Sequence, residues 1–300
     1  MIQHGSATQQ ELVTGGGPTV LRMLLGAHLR RLREAHGVSR EDAGWEIRSS
    51  ESKISRMELG RVGFKERDVA DLLTLYGVTD DEERDRLLTL ARDANNPGWW
   101  HRFGDVLPGW FQSYLGLEAA ASMIRAYEAH FVPGLLQTEE YARAVVRLRY
   151  PGAPANEIER RVTLRLARQK ILDAPVAGGE PPQIWLVVDE AVLRRPIGGA
   201  AVLRGQIEAL EAATSRPNVR LQVIPFATGG HAETGGAFTI LRFPDRDLPD
   251  VVYVEQLTSA LYLDKREDVD QYAATMERLC VEGLAQSHTP DFLRGVLKEL

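Results

Sequence analysis

The chain has 300 residues, 44% of them hydrophobic, with a net charge of −6 and a pI near 5.7. That length and apolar content suffice for two cores, and the acidic balance excludes a protein that coats nucleic acid through overall positive charge. The single Cys280 excludes an internal disulfide framework and any multi-cysteine metal site; no apolar run reaches the ~18 residues of a membrane span and residues 1–10 lack a secretory pattern, so a cytoplasmic protein is expected.

Residues 1–18 are polar and end in Gly15-Gly16-Gly17-Pro18, which reads as a flexible tail. Leu21, Leu25, Leu29 and Leu32 then fall at helical spacing and predict a helix over 19–35, stopped by Gly37. Arg30, Arg31 and Arg33 near its end suit the helix dipole and a phosphate backbone equally well. Ser39 followed by Asp42 is close to a capping box, so a second helix starts at Arg40, with Ala43 small and Ile47 closing its apolar face. The chain turns at Arg48-Ser49. Ser50 caps a third helix whose Ile54, Met57 and Leu59 point inward while Glu51, Ser52, Lys53, Ser55 and Arg56 stay free, and Gly60 ends it. So narrow an inward face leaves the third helix projecting, which suits a DNA major groove about 12 Å wide; the competing reading is an ordinary helix pair in an all-α core. Val69, Leu72, Leu73 and Tyr76 mark a fourth helix ended by Gly77, and residues 80–94 a fifth with an acidic start. Between Thr19 and Arg67 eleven cations face seven carboxylates, a local balance of +4 that favours phosphate contact.

Leu29-Arg30-Arg31-Leu32-Arg33, Val38-Ser39, Ala43 and Ile54-Ser55-Arg56-Met57-Glu58-Leu59-Gly60 resemble the signature of Xre-type helix-turn-helix repressors over roughly residues 25–94. The resemblance implies a phage-repressor-like five-helix domain in which Arg40 meets the DNA backbone and Glu51, Ser52, Lys53 and Arg56 face bases or phosphates. Ser50, Ser55 and Arg61 complete the expected DNA surface. Glu51 departs from the amide or basic residue common there; it can accept from cytosine N4 but cannot donate to adenine.

Asn95-Asn96-Pro97-Gly98 reads as a hinge, and the aromatic residues crowded into 99–114 as an interdomain seam rather than a stacking platform. Pro133-Gly134 ends a helix and Thr138 caps the next; Arg125, Tyr127, Glu128, His130 and Gln137 in this corner either line a pocket or are satisfied locally. Residues 156–173 form an arginine-rich amphipathic helix whose Arg160, Arg161, Arg165 and Arg168 read as a solvated face. Strands are predicted over 183–189, 219–226, 237–243 and 251–255, with helices over 205–215, 267–285 and 290–300. The fold class is α+β: an all-α helix-turn-helix domain over 19–95, a linker over 96–114 and a mixed α/β domain over 115–300 with a small sheet flanked by helices.

A second resemblance rests on Val132-Pro133-Gly134-Leu135-Leu136-Gln137-Thr138, Val223-Ile224-Pro225-Phe226, Gly235-Gly236-Ala237-Phe238-Thr239-Ile240 and Val252-Tyr253-Val254-Glu255. These look like the C-terminal domain of actinobacterial WhiJ-like, antitoxin-like regulators, which implies a transcriptional regulator modulated by a small protein partner encoded nearby. No catalytic residue is carried over, and no cofactor is expected. His231-Ala232-Glu233 mimics a deaminase zinc motif, but the two further thiolates are missing. A non-enzyme is therefore expected, binding double-stranded operator DNA as a homodimer. Its C-terminal domain receives either that protein partner or a small molecule, with Tyr127, Glu128, Gln137, His231 and Glu233 as the candidate contacts.

Overall fold

A computed structural model of the chain describes residues 17–176, 179–231, 235–245 and 248–300. The expected tail and Glu233 therefore lie outside the described residues, the tail save for Gly17 and Pro18. Five helices come first: α1 (Pro18–Ala35), α2 (Arg40–Glu46), α3 (Glu51–Glu58), α4 (Glu66–Leu75) and α5 (Asp81–Asp93). Their ends are written locally. Ser39 Oγ accepts from Asp42 N at 3.0 Å, Ser50 Oγ from Lys53 N at 3.3 Å and Asp80 Oδ1 from Glu83 N at 2.7 Å. Gly37 and Gly77 leave their helices at φ +65 and +69°, where a side chain would be strained. Leu25, Leu29, Ile54, Met57, Leu72, Leu73 and Tyr76 close the core between these helices.

The expected hinge is pinned. Asn95 Oδ1 accepts from Phe64 N at 3.1 Å and its Nδ2 donates to Phe64 O, which ties the end of α5 to the loop before α4. Trp100 and Phe103 then pack with Leu115 and Leu164, and α6 (Gly109–Glu118) leads into the sheet.

The sheet has six strands in the order β3-β2-β1-β4-β5-β6: β1 (Met123–Glu128), β2 (Gln183–Asp189), β3 (Val219–Ile224), β4 (Phe238–Arg242), β5 (Val251–Glu255) and β6 (Ala260–Leu263). The first three are parallel; β4, β5 and β6 run as an antiparallel meander from the other side of β1. The stretch ahead of Pro133, expected to end a helix, thus holds the central strand, because pairing on both edges decides its conformation and propensity does not. Strand β6 was not foreseen. The crossovers are helical: α7 (Glu139–Arg149) and α8 (Ala155–Gln169) between β1 and β2, α9 (Glu190–Arg194) and α10 (Ala200–Ala213) between β2 and β3. One sheet face packs on α7, α10 and α12 (Thr289–Glu299), the other on α11 (Arg266–Glu282).

Helix α1 belongs to both halves. Leu21, Leu25 and Leu29 enter the helical core, while Val20 joins the core of the sheet domain. Two close approaches fix it. A Cβ on Gly26 would lie 2.4 Å from Met57 O and 2.6 Å from Glu58 O, and one on Gly116 of α6 would lie 2.5 Å from Thr19 Cβ. Gly26→Ala is therefore expected to cost about 1–3 kcal/mol by forcing α3 off α1. Urea unfolding with hydrogen exchange in α1 and α3 measures it, against Gly109→Ala, where nothing stands within contact distance; equal stability of the two variants contradicts the packing.

Candidate nucleic-acid interface

Helix α3 buries Ile54 and Met57 and leaves Glu51, Ser52 and Arg56 exposed, with Ser55 half-buried. Its third inward residue is Glu58 and not Leu59, which stays half-buried. An ionised carboxylate inside a helical core demands partners. Glu58 Oε1 accepts from Arg33 Nε at 2.5 Å, and Oε2 accepts from Arg33 Nη2 at 3.2 Å and from Arg40 Nε at 3.0 Å. The end of α3 is thereby held by the end of α1 and the start of α2. The hydrogen bond to Glu58 raises the Arg33 guanidinium above its ordinary range, and burial with the Glu58 charge raises the Tyr76 hydroxyl beside it.

Several cations expected to be free are engaged. Lys53 Nζ pairs with Asp68 Oδ2 at 2.7 Å, and Arg61 Nη2 with Asp264 Oδ2 at 3.3 Å, a carboxylate of the other domain. Arg40 leans back to Glu58 while its side chain remains about one-third exposed, at 35%. Arg48, Arg56 and Lys65 are the exposed cations around α3 without a carboxylate partner among the described residues. Arg48 occupies the turn with φ +52°, the left-handed region that non-glycine residues rarely adopt. Lys65 and the 82% exposed Trp45 on α2 were missed as surface candidates, since no local pattern marks either.

In the sheet domain, Tyr127 and His231 come together from distant segments: the hydroxyl and Nε2 lie 3.2 Å apart, and the same Nε2 is 3.6 Å from Asp189 Oδ2. Asp189 also caps α9, accepting from Ala191 N at 2.7 Å. Gln137 is buried: its Nε2 donates to Val132 O at 2.8 Å and its Oε1 accepts from Arg165 Nη1 at 2.9 Å. It is a strut and not a surface contact. Glu128 ends β1, where burial and then the like charge of Glu255 push its carboxyl up to about 8.

Sequence reading missed the polar cluster on this side of the sheet. Arg160 does pair with Asp105 at the surface, whereas Arg161, paired with Glu157, is largely covered and also donates to Val106 O at 2.5 Å. Arg168 instead turns inward, donating to both oxygens of buried Glu118 at 2.8 and 2.9 Å, with Tyr114 donating to Glu118 Oε1 at 2.9 Å. The only sequence signal was the one-turn spacing of Arg165 and Arg168 on an otherwise outward helix.

A projecting, doubly capped α3 on a five-helix support defines a helix-turn-helix DNA-binding regulator of Xre-like type, and residues 24–87 match a helix-turn-helix domain model. Residues 111–295, more than half of the chain, match the model of a domain of unknown function, DUF5753, and the chain belongs to that family. No curated protein and no solved structure matches it as a relative. Among the described residues no helix is long and apolar enough to cross a membrane.

Glu58→Gln keeps the shape and removes the charge, leaving buried Arg33 only the half-exposed Glu34 carboxylate at 3.4 Å. Its expected cost is about 3–5 kcal/mol, the range for breaking a buried pair from one side. Arg40→Ala, at a partly solvated position, is expected to cost less, and thermal unfolding of the two variants compares them directly. Equal, small losses would show that Glu58 does not hold the three helices together.

Proposed function

We propose that the protein is a sequence-specific operator-binding regulator, without catalytic activity, in which α3 enters the major groove and the sheet domain controls its affinity. The observation that carries this is the division of α3: one face seals the core through Ile54, Met57 and Glu58, while Glu51, Ser52 and Arg56 stand outside it. Ser50, Ser52 and Ser55 are small enough to bring the helix close to base edges, Arg56 can reach a guanine as a fork, and Glu51 can accept from cytosine. Arg48 and Lys65, with Arg40, Lys53 and Arg61 once released from their carboxylates, serve the phosphates.

One α3 reads few base pairs, so two copies acting on a palindrome, with half-sites about 34 Å apart or a multiple of it, supply the needed contacts. The likeness to WhiJ-like regulators supports a small protein partner on the sheet domain. A second reading, a small-molecule sensor, is favoured by the meeting of Tyr127 and His231 at the carboxyl ends of the parallel strands, where β1 pairs with β2 on one side and with β4 on the other. Open α/β sheets bind ligands at such switch points. Either mode regulates only through different affinity for DNA-competent and incompetent states.

The test begins with the operator, recovered by mapping bound sites across the genome. Arg56→Ala is expected to weaken operator binding by about 1–3 kcal/mol and to relax specificity at one base pair. Sedimentation with and without operator is expected to show a dimer. Unchanged operator affinity in Arg56→Ala and Arg48→Ala, or monomers throughout, contradicts the reading.

A further inference from the structure

The sheet face that carries α11 is only half covered. Tyr127 of β1, Val187 of β2, Ile224 of β3, Phe238 of β4 and Val252 of β5 pack beneath α11, which therefore crosses the strands. Two residues before Tyr127, Val187 and Gln222, and so on the same face, stand Arg125, Trp185 and Arg220. The strand register sets them in one row, Arg125 opposite Trp185 and Trp185 opposite Arg220. Trp185 joins none of the buried apolar clusters among the described residues.

The row is braced from the end of α11. Trp185 Nε1 donates to Gln222 Oε1 at 2.8 Å, and Gln222 Nε2 donates to Cys280 O and Leu284 O at 3.0 and 2.8 Å. Each guanidinium carbon lies 5.2 Å from the indole ring centre, one arginine coming from each flanking strand. Neither arginine has a counter-ion. Arg242 of β4, on the same face, pairs with Asp250 at 2.8 Å, but no carboxylate pairs with Arg125 or Arg220 among the described residues. Burial raises the Cys280 thiol beside Arg125, so that neighbour supplies no charge. Arg220 is exposed, and Arg125 and Trp185 are half-buried.

We propose that this strip is the docking surface for an acidic helix of a protein partner, laid beside α11 with carboxylates on Arg125 and Arg220 and an apolar side chain on Trp185. The regulatory role of that partner rests on the protein-partner reading given above; the preference of the strip for an acidic helix does not. Two strand spacings of about 4.8 Å put the Cα atoms of the arginines about 10 Å apart, and seven residues of α-helix rise about 10.5 Å. A helix crossing the strands as α11 does thus brings acidic residues i and i+7 over the two guanidiniums, and i+3 or i+4 over the ring. Carboxylate on guanidinium is a strong, charge-assisted pairing, and arginine and tryptophan are the side chains that most often dominate binding at protein interfaces. Residues 1–16 of the chain hold a single carboxylate, Glu11, and cannot satisfy both arginines.

The test uses the full chain and two synthetic helical peptides, one with Glu at two positions seven apart and Leu between them, the other with Gln in place of both. Calorimetry measures binding, and Trp185 emission, assigned with Trp185→Phe, locates it. The Glu peptide is expected to bind at least tenfold more tightly than the Gln peptide, to change Trp185 emission, and to lose its advantage in the Arg125→Gln, Arg220→Gln double variant. Equal binding of the two peptides, binding of neither, or an advantage that survives in the double variant overturns the surface. The small proteins encoded beside the gene are titrated in the same way, and one is expected to bind and to lose at least tenfold in affinity in the double variant. A protein that binds both forms equally overturns the strip as its site and leaves the partner reading standing, whereas binding of none, with the peptides behaving as expected, overturns the partner role alone. Operator affinity or dimer formation lost in the double variant identifies nucleic acid or a second copy as the occupant and overturns the proposal.

Discussion

The carboxylate of Glu58 sets the geometry on which the DNA-binding half depends. It arrives from the last turn of α3 and meets Arg33 from α1 and Arg40 from the first turn of α2. An ion pair removed from water gains little net stability over a well-packed apolar pair, but it tolerates few arrangements, because a misplaced partner leaves a buried charge unmatched. The three helices are therefore held at one set of angles. Gly26 makes that possible, since only a residue without a side chain lets the last turn of α3 approach α1 so closely. Orientation comes from the charge, and proximity from the missing Cβ.

The same α1 carries the orientation into the rest of the molecule. Its opposite face packs on the sheet domain through Val20, and Thr19 abuts α6 at Gly116. Helix α6 is in turn anchored at its end by Glu118, which both Arg168 and Tyr114 grip. Further ties cross or brace the junction: Asn95 to the backbone of Phe64, Arg22 to Ala94 O at 3.0 Å, and Arg61 to Asp264. A shift of α6 driven from the polar cluster would be passed to α1 by direct contact, and α1 touches α3. The route is a chain of packed surfaces and not a flexible tether.

What could be read from the sequence was what is decided locally. The caps at Ser39, Ser50 and Thr138, the acidic start at residue 80 and the glycine stops at 37 and 77 depend on residues within a few positions, and the five N-terminal helices followed from such signals. Strand β1 was lost because its neighbours are 60 and more positions away in the chain, and because Arg125 and Glu128 blur its alternation. Strand β6 has four residues at a sheet edge, too few for a pattern. The site residues divide the same way. That Ser52 and Arg56 are exposed follows from the spacing of Ile54 and Met57, whereas the partners of Lys53, Arg61 and Arg165 come from other elements and carry no sequence mark.

Charge counting illustrates the difference most sharply. The +4 balance between Thr19 and Arg67 weighs all eleven cations equally, but folding spends Arg33 on Glu58 and draws Lys53 and Arg61 to carboxylates outside that stretch. The exposed cations left without a carboxylate around α3 are few, and each phosphate contact contributes only about 0.9 to the salt slope. Non-specific attraction by a single copy is correspondingly weak. In the proposed function, a helix-turn-helix face so sparing in charge draws its affinity from base-edge contacts and from a second copy. The acidic sheet domain adds to this economy, because its Asp264 already holds Arg61.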